Sequence, residues 1–105
     1  MDGAVGTART AVRAAAGVGD VRYSGAALRQ LAQSGIWPAE VGEALGSGDV
    51  IELYDGPGGQ SCLVLGWTDT LRQLHVHCSW PTVTVLNVYE PRSEQWTDGR
   101  IRVRG

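Results

Sequence analysis

The sequence is short of the residues that build metal sites and membrane spans. It has two cysteines, two histidines and no lysine, and no apolar run approaches the roughly 20 residues that a transmembrane helix needs. The N-terminus lacks the apolar core of a secretory signal, so we predict no signal peptide and no contact with a membrane. Because His77 and the adjacent Cys78 fall on opposite faces of one strand pattern, a zinc-type ligand spacing is absent. We predict neither a metal ion nor a cofactor.

The net charge of −2 argues against a protein that coats nucleic acid through charge alone. The charges are unevenly distributed, since residues 40–69 hold six acids and no base. Both ends of the chain are richer in arginine than this middle segment. A local basic patch is therefore compatible with the acidic total, and a solvated surface of scattered charges is the alternative. The terminal arginines are Arg9, Arg13, Arg22 and Arg29 at one end and Arg92, Arg100, Arg102 and Arg104 at the other.

A chain of 105 residues is long enough for one domain with a single core. Its 43% hydrophobic and 19% charged residues are typical of a globular protein. Residues 3–16 are rich in alanine and predict a helix with a weak apolar face, which Gly17 and Gly19 end. We interpret residues 1–19 as an N-terminal helical linker and residues 20–105 as the domain.

Two short helices are predicted before the strands. Ser24 is a good N-cap for a helix over residues 25–34, and Gly35 stands where a C-terminal cap glycine belongs. Pro38 suits the first turn of a second helix, which we place over residues 39–45.

Four strands are predicted from apolar alternation and turn residues, over residues 50–54, 62–67, 71–79 and 82–89. Short connections favour antiparallel pairing between neighbours in the chain. We therefore predict an α+β fold in which N-terminal helices pack on one face of a four-stranded antiparallel sheet. The other face is left for a ligand or a partner.

Both histidines of the chain lie in the third predicted strand. They alternate with three apolar residues, so strand geometry sends the two sets to opposite faces. The fourth strand ends in two further polar side chains. If the protein performs chemistry, we expect it on the sheet face that carries His75, His77, Asn87 and Tyr89.

The two cysteines are 16 residues apart, and each lies in a predicted strand. Cys62 and Cys78 can form a disulfide if their strands are neighbours and their side chains face each other. Two buried thiols are the alternative, as is usual in a cytosolic protein. The sequence leaves both possibilities open.

Several short motifs match one family in order and spacing. The matching residues are Tyr23-Ser24, Gly35-Ile36, Val41, Ala44-Leu45, Ser47-Gly48, Val50-Ile51-Glu52, Tyr54, Leu74-His75-Val76, Val88-Tyr89-Glu90-Pro91 and Trp96. Taken together, from about residue 23 to residue 100, they resemble the bacterial domain of unknown function forty-two fifty-eight.

The resemblance implies a fold similar to the small RNA-cutting toxins of the RelE and BrnT kind, within the wider barnase-EndoU-colicin-RelE group. Such domains often lie at the C-terminal end of bacterial polymorphic toxins, where an immunity protein or antitoxin counters them. The resemblance therefore implies a metal-independent ribonuclease with RNA as its substrate and an immunity protein or antitoxin as its partner. We expect it in the cytoplasm of the host or target bacterium, delivered by secretion as part of a larger toxin.

The chain departs from the family pattern at four positions. The family histidine after the Tyr-Ser pair falls on Ala26, and the two arginines of the same helix fall on Gln30 and Ser34. The threonine before the Val-Tyr pair falls on Asn87. The resemblance thus implies that Ala26 marks a lost or removed catalytic histidine, whose restoration would restore activity.

RNA cleavage without a metal needs a base for the 2′-hydroxyl, an acid for the leaving 5′ oxygen and a cation for the phosphorane. Histidine titrates near neutral pH and can serve in either proton role, so His75 is the first candidate. His77 lies about 7 Å along the same face, a separation that straddles one phosphate. Tyr89 is a candidate for stacking on a base or donating a proton. An exposed polar edge is the alternative for the histidines, and plain packing is the alternative for Tyr89.

Arginine suits phosphate, because its planar fork matches the oxygens. Trp96 lies in a predicted loop and is a candidate for stacking on a nucleotide or for burial against an immunity protein, whereas Trp37 is predicted to lie in the core. A non-catalytic partner-binding module of the same fold is the alternative function. The candidate arginines for RNA binding, each with a solvated surface as its alternative, are Arg29, Arg92, Arg100 and Arg102.

Overall fold

Three helices and a mixed five-stranded sheet make up most of the chain in a computed structural model, which describes residues 3–103. Arg104 of the predicted basic tail lies outside the described residues. None of the helices within residues 3–103 is long and apolar enough to cross a membrane. The elements in chain order are α1 (Gly3–Gly17), β1 (Arg22–Tyr23), α2 (Gly25–Ser34), α3 (Pro38–Ser47), β2 (Asp49–Gly56), β3 (Gly59–Trp67), β4 (Gln73–Ser79), β5 (Thr84–Tyr89), β6 (Trp96–Thr97) and β7 (Ile101–Arg102).

The main sheet has the strand order β1-β5-β4-β3-β2. Strands β2 to β5 are antiparallel neighbours in chain order, and the predicted α+β class is confirmed. The prediction of four antiparallel strands is wrong at one edge, where β1 pairs in parallel with β5. The backbone before α2 makes this pair, since Arg22 N donates to the Val83 carbonyl and Ser24 N to the Val85 carbonyl.

The helix boundaries follow their capping residues. Ser24 Oγ accepts a hydrogen bond from Ala27 N at 3.0 Å, which begins α2, and Gly35 ends it with a left-handed φ of 67°. Helix α3 begins at Pro38, where the Glu40 carboxylate accepts from the backbone N–H that precedes the helix. All three predicted helices are confirmed, with small shifts of their ends.

The helices pack on one face of the sheet and enclose the hydrophobic core. Val76 in β4 is fully buried there together with Ala27 of α2 and Val41 of α3. The apolar set of β4 therefore faces the helices, as its alternation predicts.

Helix α1 belongs to the same packed layer. Its residues Ala8 and Val12 are buried in the core, and Arg13 Nη2 donates to the Gly48 carbonyl at 2.8 Å. The domain boundary at residue 19 stays a prediction.

The face away from the helices, here called the outer face, carries the polar residues of the central strands. The pairing places β4 between β3 and β5, so side chains from three strands lie next to each other. Residues of β2 extend this face on the far side of β3. The outer face is defined by Tyr54, Ser61, Leu63, Leu65, His75, His77, Asn87 and Tyr89.

A C-terminal hairpin of β6 and β7 folds over part of the outer face. Trp96 is buried, and its ring centroid lies 4.3 Å from that of His75 at an interplanar angle of 90°. Gly99 turns the hairpin with a φ of 73°, a conformation that favours glycine. No strand was predicted here, because a two-residue strand is too short to show a period of two.

Helix α3 and strand β3 approach each other closely at Gly66. A Cβ atom at this position would lie 2.0 Å from the Ala44 carbonyl oxygen and 2.7 Å from Ala44 Cα, both backbone atoms of α3. Since a helix backbone cannot move locally without its neighbours, residue 66 has to be glycine for the layers to meet.

We expect Gly66→Ala to lower the free energy of unfolding by about 2 kcal/mol, because the added methyl group pushes α3 away from the sheet. Gly46→Ala is the matched control, since it lies in α3 with open space around it. Removing a glycine from a helix should raise stability by about 0.5 kcal/mol. Urea unfolding monitored by tryptophan fluorescence measures both, and equal stabilities for the two variants would contradict the packing argument.

Candidate active site

The outer face brings together the polar residues that the strand patterns predict. In the pairing of β4 with β5, His75 lies opposite Tyr89 and His77 lies opposite Asn87. The prediction that these four residues share one face is confirmed. The sheet places them, because alternate residues of neighbouring strands point the same way.

A pocket of about 330 Å³ opens on this face. It combines an imidazole, two phenols, a hydroxyl, an amide and a guanidinium around an apolar side chain of β3. This size and mixture suit a small polar group such as part of a nucleotide. The lining residues are Tyr54, Ser61, Leu63, His77, Asn87, Tyr89 and Arg102.

His77 is the histidine that reaches this pocket. Its Nε2 lies 3.0 Å from Ser61 Oγ, and the Tyr54 ring meets it edge-on with centroids 5.2 Å apart. Partial burial lowers the pKa of His77 below its ordinary value. The imidazole is therefore mostly neutral at pH 7, and its acid form is populated only at lower pH.

His75 is fully buried and does not line the pocket. Its Nε2 lies 2.6 Å from the Gly99 carbonyl oxygen and its Nδ1 lies 3.2 Å from the Tyr89 hydroxyl. The prediction that His75 is the group that meets the substrate does not fit this position, because the C-terminal hairpin covers it. Burial lowers the pKa of His75, although the Gly99 carbonyl opposes this.

Arg102 reaches the pocket from β7 and is held by Glu52 of β2. Its Nε and Nη2 atoms lie 2.8 and 3.1 Å from the two Glu52 carboxylate oxygens, and its guanidinium lies 4.7 Å from the Trp96 ring centroid. The Tyr54 hydroxyl donates to the same carboxylate. Burial alone would raise the pKa of Glu52, but these hydrogen bonds outweigh it and leave the pKa below its ordinary value.

Tyr54 has the most perturbed phenol of the pocket. Burial and the hydrogen bond to Glu52 raise the pKa of Tyr54 to about 12. Burial also raises the pKa of Tyr89. Both phenols therefore keep their protons near neutral pH.

The predicted RNA-binding residues do not form one patch. Arg102 lies at the pocket, whereas Arg100 is paired with Asp49 at 3.1 Å. Arg29 is exposed on α2 in the helical layer, and Arg92 is exposed beside the C-terminal hairpin. Trp96 is 4% exposed, so the prediction that it offers an open ring for stacking is wrong.

Ala26 does not line the pocket, but its position on α2 is informative. It is exposed one helical turn before Gln30, on the same side of the helix. Gln30 Oε1 accepts a hydrogen bond from Val88 N at 3.0 Å. Position 26 therefore lies on the side of α2 from which Gln30 reaches β5, the strand that contributes Asn87 and Tyr89.

The two cysteines lie directly opposite each other on β3 and β4, on the helix face. Their Sγ atoms are 3.9 Å apart, and both thiols are fully buried and not joined by a disulfide. Among residues 3–103 no group of three or more histidine, cysteine or acidic side chains is arranged to hold a metal ion.

Sequence reasoning missed four residues of the site. Tyr54 and Ser61 lie on β2 and β3, and the sequence does not show which of their residues align with the histidines of β4. Sequence reasoning therefore did not identify them. Leu63 looked like ordinary core, and Glu52 looked like one of several surface acids. The alternation of β2 was the one available signal, since it places Glu52 and Tyr54 on the same face.

The lowered pKa values of His75 and His77 predict a stability that depends on pH. Both groups bind protons more tightly when unfolded, so their contribution is fully present above the unfolded pKa of about 6.5 and is lost as the pH falls toward the folded values. The free energy of unfolding should fall by at most about 1.4 kcal/mol per pH unit for each imidazole. Urea unfolding at several pH values between 7.5 and 5.5 measures this. His77→Asn should reduce the slope, and a flat profile in the unmutated protein would refute the argument.

A family model described as a domain of unknown function, DUF4258, matches residues 23–90. No curated protein and no solved structure matches the chain significantly. The matched stretch begins at Tyr23 in β1 and ends just after β5, so it contains α2, α3 and all of the main sheet except Arg22. It leaves out α1 and the C-terminal hairpin. The chain belongs to the DUF4258 family, as its motifs predict.

Proposed function

We propose that the protein is a metal-independent ribonuclease whose active site is the pocket on the outer face. The observation that carries the proposal is the position of His77, a half-buried imidazole that lines this pocket beside Asn87, Tyr89 and Arg102. Imidazole, phenol, amide and guanidinium groups are those that phosphodiester cleavage uses when no metal takes part.

The reaction is an attack of the 2′ oxygen on the adjacent phosphorus. The O2′–P bond forms and the P–O5′ bond breaks, which leaves a 2′,3′-cyclic phosphate and a free 5′-hydroxyl. The 5′ oxygen takes its proton from the His77 imidazolium, and the 2′ proton leaves to a second group on the same face. Because the pKa of His77 is lowered, the acid form is available mainly below pH 6.5.

Arg102 is the cation nearest to the proposed reaction. Its guanidinium is paired with Glu52 in a two-point contact, and it also lies over the Trp96 ring. The ring and the carboxylate hold the guanidinium in place at the wall of the pocket. A bound phosphate would receive the N–H groups that Glu52 does not occupy.

RNA is proposed as the substrate because the sequence motifs resemble a family whose fold is expected to be similar to that of RelE-type and BrnT-type toxins. The order of elements, with helices before four antiparallel strands, agrees with such a fold. Strand β1 is an additional strand at one edge of the sheet. On this proposal the domain is the toxic part of a larger secreted protein, acts in the cytoplasm of a bacterium, and is neutralised by an immunity protein or antitoxin.

We expect His77→Ala to lower the rate of RNA cleavage about 100-fold or more, because the leaving oxygen loses its proton donor. The assay is cleavage of a fluorescently labelled RNA in the presence of a metal chelator. Gln33→Ala, an exposed change on α2 away from the pocket, is the control and should cleave normally.

The pH profile adds an independent readout. Cleavage should rise as the pH falls below 6.5, since burial lowers the pKa of His77 and its acid form is populated only there. Equal cleavage by Ala26→His with and without His77→Ala would contradict the assignment of this pocket.

Ala26→His tests the expectation that position 26 once held a catalytic histidine. The new imidazole starts from the side of α2 on which Gln30 reaches β5, and we expect cleavage to rise about 100-fold over that of the unmutated chain. Leu28→His places the same group on the opposite side of α2 and is the matched control. A gain in both variants, or in neither, would refute a specific role for position 26.

A second candidate function, partner binding without catalysis, is favoured by an apolar groove of about 320 Å³ on the helical layer. Trp37 is 72% exposed and Leu28 is 51% exposed, so the prediction that Trp37 lies in the core is wrong. Exposed tryptophan beside other apolar groups is common at protein interfaces. Absence of RNA cleavage in both the unmutated protein and Ala26→His would favour this function. The groove is lined by Leu28, Leu31, Ala32, Gly35, Ile36, Trp37 and Pro38.

A further inference from the structure

The hydrogen bonds of His75 determine which way the Tyr89 hydroxyl points. The Gly99 carbonyl oxygen can only accept, so the Nε2 atom, 2.6 Å away, carries the proton. Nδ1 of the neutral ring is then an acceptor, and the group 3.2 Å from it is the Tyr89 hydroxyl. Tyr89 therefore donates its O–H to His75.

This arrangement leaves the Tyr89 oxygen with unused lone pairs at the pocket. Tyr89 lines the pocket, and within the part of the chain that the structure describes no side chain or backbone N–H donates to its oxygen. Tyr54 differs, because its hydroxyl donates to Glu52 and the Arg102 guanidinium lies beside it. Tyr89 is thus the phenol of this pocket that can accept a hydrogen bond from a ligand.

The packing around His75 prevents the hydrogen-bonded pair of His75 and Tyr89 from rearranging. The imidazole is fully buried, with Trp96 edge-on to its ring at 4.3 Å and the Tyr89 ring at 5.2 Å. Turning the ring over would break both of its hydrogen bonds inside a site closed to water, which is costly. The direction of the Tyr89 O–H is therefore built into the fold.

We propose that Tyr89, oriented by His75, is the subsite that binds the ribose 2′-hydroxyl. This inference rests on the proposed function, because it names the group that receives the 2′ proton. In the reaction the 2′ proton passes to the Tyr89 oxygen while the Tyr89 proton passes to His75 Nδ1. His75 ends as an imidazolium that keeps its Nε2–H on the Gly99 carbonyl. His75 is a positioning residue, since it acts only through Tyr89.

The subsite predicts that the pocket distinguishes ribose from deoxyribose without any cleavage. The probes are the 3′-monophosphates of the four ribonucleosides and their 2′-deoxy counterparts, none of which can be cleaved by 2′-hydroxyl attack. We expect at least one ribonucleotide to bind about tenfold more tightly than its deoxy counterpart, the value of one hydrogen bond. Isothermal titration calorimetry measures the ratio.

Four variants test the roles of the two residues. Tyr89→Phe and His75→Gln should bring the ratio of ribonucleotide to deoxyribonucleotide affinity close to one. Tyr89→Phe removes the hydroxyl that accepts from the ligand. The amide of His75→Gln can still donate to the Gly99 carbonyl, but it cannot accept from Tyr89. His75→Asn should retain most of the ratio, since its amide oxygen can stand where Nδ1 stands and accept from Tyr89. Tyr23→Phe is the control for loss of a phenol oxygen, because Tyr23 Oη donates to the Pro38 carbonyl outside the pocket. It should leave the ratio unchanged.

A ratio is insensitive to partial unfolding, which lowers both affinities alike. Equal binding of the ribo and deoxy probes by the unmutated protein, absence of binding to either, or a ratio that survives Tyr89→Phe or His75→Gln would each overturn the inference. RNA cleavage together with equal binding would overturn the subsite and leave the nuclease proposal standing. A tenfold ratio without RNA cleavage would overturn the nuclease and leave a ribose-binding pocket.

Discussion

The buried hydrogen bond between His75 and the Gly99 carbonyl is the contact on which the outer face depends. It joins the central strand of the sheet to the C-terminal hairpin, which also meets the sheet through the Trp96 ring on His75 and through the ion pairs of Arg100 and Arg102. Ion pairs of that kind contribute little on their own, whereas a buried imidazole with both nitrogens bonded excludes alternative arrangements. The hairpin in turn brings Arg102 to the pocket and covers His75 with Trp96.

Charged residues of the acidic and basic segments pair with each other within the fold. The acidic middle segment and the basic tail meet where β2 lies beside the C-terminal hairpin: Asp49 pairs with Arg100, just before β7, and Glu52 pairs with Arg102 in β7. A basic patch for RNA is therefore not assembled from these arginines. Affinity for a nucleic acid has to come from the local chemistry of the pocket, which agrees with a protein of net charge −2.

Local signals predicted most of the secondary structure, and long-range pairing accounts for what they missed. Ser24, Gly35 and Pro38 mark helix ends by short-range geometry, so α2 and α3 were predictable to within a few residues. The alternation in β4 placed both histidines on one face. The pairing of β1 with β5 and the burial of His75 depend on segments more than twenty residues away, for which a single sequence contains no signal.

The contact between Gln30 and the backbone of Val88 has a consequence for how the molecule behaves in solution. Beyond Val85 no strand within residues 3–103 pairs with the outer edge of β5, because β1 is only two residues long. An open edge of this kind invites another chain to add to the sheet, which leads to aggregation. The Gln30 side-chain oxygen accepts from the Val88 backbone N–H on this edge, so that donor is not available to an added strand.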